Sequence, residues 1–442
     1  MENHNANLVI TGKYLLTQDI NQSIIENGGI AILNDQIIEI NDGQTLLDKY
    51  PEAEQIVEEH GLIMPGLINT HTHAAMACFR GIADDLPLMQ WLQEYIFPVE
   101  AKLTPEIVYH STLLSICEMI KSGTTSFCDM YLFAADVARA ADVAGMRAWI
   151  GEVLYDFPSP NYGELENGFR YTEDLFTKYS DHSLINITID PHSVYTCSPE
   201  LLKKLSDIAT EKEALYVIHL SENQDEVNTC IERYGCSPVM HLENLGLLNE
   251  RVVADHCVMV TDDEIKLMAE RGVKISHCPE SNMKLASGIA PVEKVLKAGI
   301  TVGIGTDGSA SNNDVDMFGE MNTVAKIHKV ACMDPTAMNA RATLNAATIG
   351  GAAALSAEHK IGSLETGKKA DLIVLDLNQP HLTPIYNPIS HLVYAVRGSD
   401  VMHSVINGRI VMQNRHLTTL NETKILAKMA EIGEEIKKMR QE

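Results

Sequence analysis

Eight short apolar runs, each closing on a polar or glycine-containing end and each followed by a helical pattern, constrain this chain more than any other feature. They are GLINTHTH (66–73), TTSFCDM (124–130), MRAWIGEV (146–153), INITIDPH (185–192), ALYVIHL (214–220), RVVADHC (251–257), GVKISHC (272–278) and TVGIGTD (301–307). Strands alternating with helices build βα units around a parallel sheet, and eight of them predict a closed (β/α)8 barrel. Barrel enzymes assemble their chemistry on the C-terminal rim of the strands. On that rim the runs place His71, His73, Asp129, His192, His219, His256, His277 and Asp307. Seventeen histidines distributed at random would not gather at the ends of buried strands, so the distribution predicts a site.

The chain has 442 residues, more than the roughly 250–300 at which a single core stops growing, so a barrel with an added module is expected. β-rich stretches open the chain (NLVITGKYLLT, GGIAILNDQIIEI) and return late (KKADLIVLDL, HSVINGRIVMQ). The fold class expected is therefore α/β, a TIM-type barrel with a small composite β-sandwich domain drawn from both termini. Its boundaries read as 1–65 and 366–416 for the sandwich, 66–365 for the barrel and 417–442 for a C-terminal helix. In that helix Ile425, Leu426, Met429, Ile432, Ile436 and Met439 recur at helical spacing, for packing on the core or for a dimer contact. The connection from Ala74 to about Leu103 is long for a βα loop and predicts a lid or specificity loop.

A formal net charge of -26 argues against a nonspecific grip on nucleic acid or anionic membrane and leaves a small molecule as the expected partner. No apolar stretch reaches the ~20 residues of a membrane span, and the N-terminal sequence lacks the pattern of a signal peptide. Nine scattered cysteines contain no C-x-x-C pair, which suits reduced thiols and a cytoplasmic location.

His71 and His73 sit two residues apart on a strand and so share a face, where both imidazoles can reach one cation. With His219 and Asp307 on other strand ends, they make a ligand set for one divalent metal per subunit. Zn2+ is the first expectation, and Fe2+ or Mn2+ the alternatives if the coordination number rises to five. The fourth run ends in Pro191-His192 rather than in a lysine able to bridge a second ion, so one metal is expected. Such an ion lowers the pKa of bound water toward ~7. Glu222, three residues after His219, is placed to exchange protons with it. His256 is placed to orient the water or stabilise charge on the reacting oxygen, or else it is a structural histidine; the same choice stands open for His277. Asp129 completes no constellation and reads as structural.

The segments PGLINTHTHAAM, HLSEN, VVADHC, SHCPESNMKLASGIAPV, GIGTDGSASNNDVDMFGEMN and GSLETGKKADLIVLD resemble the amidohydrolase superfamily and, within it, the 5'-methylthioadenosine/S-adenosylhomocysteine deaminases. The resemblance covers nearly the whole chain. It implies metal ligation by His71, His73, His219 and Asp307, with Asp307 also taking a proton from the attacking water and Glu222 protonating the purine nitrogen. It implies substrate contacts at Glu100, in FPVE, and at His192, in DPHSVYTCS, with Glu100 on the ribose hydroxyls. Trp91 lies on the expected lid, either over the substrate or in the core. Arg170 matches an arginine that some members bring to the substrate; where another would fall this chain has Gly151-Glu152, which favours methylthioadenosine or adenosine over S-adenosylhomocysteine.

The activity so implied is hydrolytic deamination of the adenine ring of 5'-methylthioadenosine, S-adenosylhomocysteine or adenosine to the inosine analogue and ammonia, by a homo-oligomer. Deamination or dechlorination of another heterocycle, such as guanine or an s-triazine, is the nearest alternative. A non-catalytic binding protein on the same fold is the remote one.

Overall fold

The computed structural model describes residues 5–86 and 90–440. All eight apolar runs form strands: Leu67–Thr72, Thr124–Tyr131, Arg147–Leu154, a fourth in two pieces (Ile185–Ile187 and Asp190–Pro191), Tyr216–Leu220, Val252–His256, Lys274–His277 and Val302–Ile304. They pair in parallel and in chain order, and the eighth returns to the first through Ile304 and Asn69. The gap between the fourth and fifth strands is spanned by parallel bridges from Ile189 to Tyr216 and from Ser193 to His219. The ring is thereby a closed barrel. The first three strands are buried at every residue, as a parallel sheet covered on both faces requires.

Strand ends differ from the sequence reading in a way that matters. The eighth strand stops at Ile304, and Asp307 lies beyond it in the left-handed region with φ 61. Ser221, His256 and Cys257, at the ends of the fifth and sixth strands, share that conformation (φ 53, 68 and 48). Each such non-glycine residue costs about 1–3 kcal/mol, which the surrounding barrel must offset. Four strained residues on one rim show where the backbone is bent to aim side chains.

A second sheet joins both ends of the chain. Its strands run in the order His416–Leu417, Arg409–Gln413, Val401–Ile406, Leu372–Asp376, Glu54–Pro65, Leu8–Leu16, Gly28–Leu33 and Gln36–Asp42, with Ile24–Glu26 paired to Leu8–Leu16. Leu372–Asp376 lies antiparallel to Glu54–Pro65, which joins the N- and C-terminal parts. The barrel is tied to this sheet by a buried ion pair between Arg147 and Asp371 (2.6 Å), a pair that Asn407 extends by accepting from Arg147.

The helix Pro105–Lys121 begins where Thr104 accepts from Ile107 N and proline occupies the first turn. The C-terminal helix Glu422–Met439 packs on it. Ile425, Ile432 and Ile436 are buried, whereas Leu426 of the same spacing is exposed. Lys428 pairs with Glu106 at 2.7 Å along the seam. No helix among the described residues is long and apolar enough to cross a membrane, and all nine cysteines are free.

Candidate active site

The rim side chains converge on one point. His73 donates from Nδ1 to the Met130 carbonyl (2.5 Å), and His219 donates from Nδ1 to the His192 carbonyl (2.8 Å). Those two bonds commit Nδ1 of both rings and turn their Nε2 atoms inward, 3.3 Å from each other, where each is a lone pair when its ring is neutral. Lone pairs at that distance repel unless a proton or a cation lies between them. Asp307 Oδ1 stands 3.2 Å from His73 Nε2 and 3.5 Å from His71 Nε2. Two overlapping triads, His71, His73 and His219 on one side and His71, His256 and Asp307 on the other, each bring their donor atoms within 4.8 Å of one another, and imidazole nitrogens with a carboxylate oxygen fit a divalent transition metal.

The electrostatics agree with a site built for positive charge. His71 is buried, which opposes protonation, yet Asp255 and Asp307 outweigh burial and raise its imidazole to about 10. Burial alone would raise the Asp307 carboxyl, but His71 and His73 hold it well below its usual range. His219, buried among other imidazoles, falls well below its ordinary value and is a neutral donor.

Sequence reasoning did not find the groups that hold these side chains. Asp255, buried, sets Oδ2 3.0 Å from His71 Nδ1. It directly precedes His256, and nothing in strand periodicity says that it reaches across the barrel. Ser281 and Ser311 donate to Asp307 Oδ2 (2.5 and 2.8 Å), and Gly308 N donates to Oδ1 (2.8 Å). Asp129 accepts from Thr72 Oγ1 and Ala74 N, which shapes the turn after His73.

Beside the cluster lies a cavity of ≈ 280 Å³. Glu222, His192, His256, Glu100 and Trp91 all line it together with His73, His219 and Asp307. Burial pushes the Glu222 carboxyl up to about 8, with the negative charge of Asp307 adding to the effect. Burial also raises Glu100, which is held by the Tyr131 hydroxyl at 2.6 Å. His192, its Nδ1 against the Ser193 and Thr196 hydroxyls, is brought down to about 3 by burial and the nearby His73 and His71, and so stays neutral. His256 donates from Nδ1 to Asn282 Oδ1 (2.9 Å), which leaves Nε2 as its acceptor.

The long connection after the first strand forms the cavity's other wall. It contains a π-helical turn, Trp91–Ile96, and the short helix Phe97–Glu100; positions 87–89 of the expected lid lie outside the described residues. Trp91 is buried and also lines the cavity.

Two sequence candidates are not brought to the cavity. Arg170 is exposed on the helix Leu165–Tyr179, whose buried face carries Gly168, Thr172, Leu175 and Tyr179. Two residues past Gly168, about 200° round the helix, its side chain leaves from the opposite face. His277 turns away from the cavity to meet His328, with their Nε2 atoms 2.9 Å apart in the core.

Glu152 is also buried and turned aside. It accepts from Ala134 N (2.8 Å) and Asn161 Nδ2 (2.9 Å), and burial pushes its carboxyl from 4.5 up to about 8. Between those values the folded chain keeps a proton that the unfolded chain has lost, so stability falls as pH rises through the window. Glu152→Gln should remove this slope. Relative to the native chain it should gain more than about 1 kcal/mol on going from about pH 5 to about pH 8, as read from denaturant midpoints. Parallel pH profiles for the two proteins would refute it.

Residues 62–411 match the amidohydrolase family, and the chain belongs to that family. It is 53% identical over 437 residues, covering 99% of this chain and 100% of the relative, to a 5-methylthioadenosine/S-adenosylhomocysteine deaminase of Syntrophobacter fumaroxidans. It is 42% identical to a 5'-deoxyadenosine deaminase of Methanosarcina mazei, with 98% of each chain covered. Among solved structures, an adenosine deaminase from Xanthomonas campestris with bound zinc superposes with TM-score 0.96 at 36% identity, covering 98% of this chain and 99% of that one.

Proposed function

We propose that this chain hydrolytically deaminates the adenine ring of a nucleoside whose 5' substituent is small or apolar, such as 5'-methylthioadenosine, to the inosine analogue and ammonia. The observation that carries this reading is that one cavity is lined by His73, His219 and Asp307 of the metal-fitting cluster, by Glu222, and by Glu100 and His192. The named relatives and the zinc-containing adenosine deaminase support it.

His71, His73, His219 and Asp307 would hold one divalent ion, with zinc the first candidate. When bound, such an ion lowers the pKa of a coordinated water and so supplies a nucleophile at neutral pH. His256 accepts a hydrogen bond from the attacking water through Nε2 and orients it. Asp307 takes the proton that the water gives up. Glu222, protonated near neutral pH, gives its proton to the ring nitrogen beside C6 as the C–O bond forms. Asp307 then passes its proton to the exocyclic amine, the C6–N bond breaks with ammonia leaving, and Glu222 recovers a proton from the C6 hydroxyl as the carbonyl forms. Glu100 accepts from the ribose hydroxyls, and neutral His192 contacts the substrate.

The far wall of the cavity is apolar. Leu92, Ile96, Phe97, Leu132, Val153 and a stacked Tyr155–Phe157 pair (centroids 3.9 Å apart) surround it, and among the described residues no lysine or arginine lines it. A homocysteine carboxylate would be desolvated there without a cation, at a cost well above that of a thiomethyl group. Ammonia release should therefore favour methylthioadenosine over S-adenosylhomocysteine by at least about 10-fold in kcat/KM, a ratio that corresponds to 1.4 kcal/mol. Equal ratios would remove the apolar subsite from the reading. A metal-loaded protein that releases ammonia from guanine or a triazine but from no adenine nucleoside would overturn the activity itself.

A further inference from the structure

Glu226 has no place in the mechanism above, yet the residue is 4% exposed and both of its carboxyl oxygens are engaged by the chain that carries the site. Oε1 accepts from Ser221 N at 3.0 Å and Oε2 from Glu222 N at 2.7 Å. These are the consecutive amides two and three residues after His219, and both His219 and Glu222 line the cavity. Ser221 stands at φ 53, a conformation that a serine does not adopt without outside support. Its carbonyl also accepts from Met259 N (2.8 Å), so the turn is held from both sides.

The anchor of this clamp is a helix start. Asn223 caps the helix Gln224–Tyr234, and its side chain accepts from Glu226 N at 2.9 Å. An acid three residues after a cap ordinarily reaches back to the cap's own amide. Here it reaches further back, to the two residues before the cap. The helix thereby becomes the support on which the Glu222 carboxyl is aimed.

We infer that Glu226 is a positioning residue for the deamination, acting through Glu222 by fixing the Ser221–Glu222 turn. This rests on the role proposed above for Glu222. A misplacement of about 1 Å in a reacting group can cost about 100-fold in rate, so a clamp on the backbone of the proton carrier belongs on kcat and not on substrate affinity.

The test is a double-mutant cycle on the metal-loaded enzyme with methylthioadenosine. Glu226→Gln replaces one acceptor by a donor that cannot meet an N–H. It should lower kcat about 10- to 100-fold, with KM within about threefold and bound zinc unchanged. In a Glu222→Gln background the same change should cost less than about twofold, because the group it positions is already gone. Glu226→Asp keeps a carboxyl group and withdraws it by one methylene. It should show the same pattern in milder form and carries the test if the glutamine variant does not fold. Native kcat in both Glu226 variants would overturn the inference, and so would equal losses in the two backgrounds. Full turnover by Glu222→Gln alone would instead remove the proposed role of Glu222, a result visible before Glu226 is touched.

Discussion

Glu222→Gln is expected to leave the protein folded, with its divalent metal bound, and to lower turnover by about 10²–10⁴-fold. Glu222 belongs to neither triad that could hold the ion, His71, His73 and His219 or His71, His256 and Asp307, so its loss is expected to remove no ligand. The amide fills the same space and can still touch a ring nitrogen. It cannot give up a proton and take one back. Metal content by elemental analysis, together with kcat for methylthioadenosine, separates the two effects. A variant that turns over within a few-fold of the native rate would exclude Glu222 as the proton carrier.

Chelation is expected to abolish turnover and to lower Tm by several degrees, with both restored by zinc. The stripped site leaves Nε2 of His73 and His219 facing each other at 3.3 Å, and the buried Asp255 and Asp307 keep a proton on His71. Binding a cation relieves the first and displaces the second. At about 1,000 times its dissociation constant a ligand stabilises the native state by about 4 kcal/mol, enough for a clear thermal shift. The sign with pH follows from His71, which is raised to about 10: metal uptake must release its proton, so the midpoint for zinc binding weakens as pH falls. Proton release measured by calorimetry in two buffers checks this. Turnover that survives complete removal of metal would sink the metal-dependent reading.

The barrel was legible because its signals are local. Alternation of apolar runs with helical patterns reports strands and helices, and period-2 geometry places His71 and His73 on one face. Strand ends mark the rim, and Glu222, His192, His256 and Asp307, read there as candidate site residues, all line one cavity. Arg170 fared differently. Its place in a motif says nothing about helical phase, and the burial of Gly168 and Leu175 turns it outward.

What the sequence determined by itself was the barrel and the rim that gathers the candidate groups for binding a cation and moving a proton. What the tertiary structure alone decided was how each group is held. Carbonyls of Met130 and His192 commit Nδ1 of His73 and His219, and Asp255 backs His71 from another strand. Ser281 and Ser311 orient Asp307, and Glu226 pins the turn beneath Glu222. The physical reason is range. Periodicity encodes which face of its own element a side chain takes. The direction of a hydrogen bond depends on an atom brought near by the closing of the barrel, most often from a strand or loop distant in the chain.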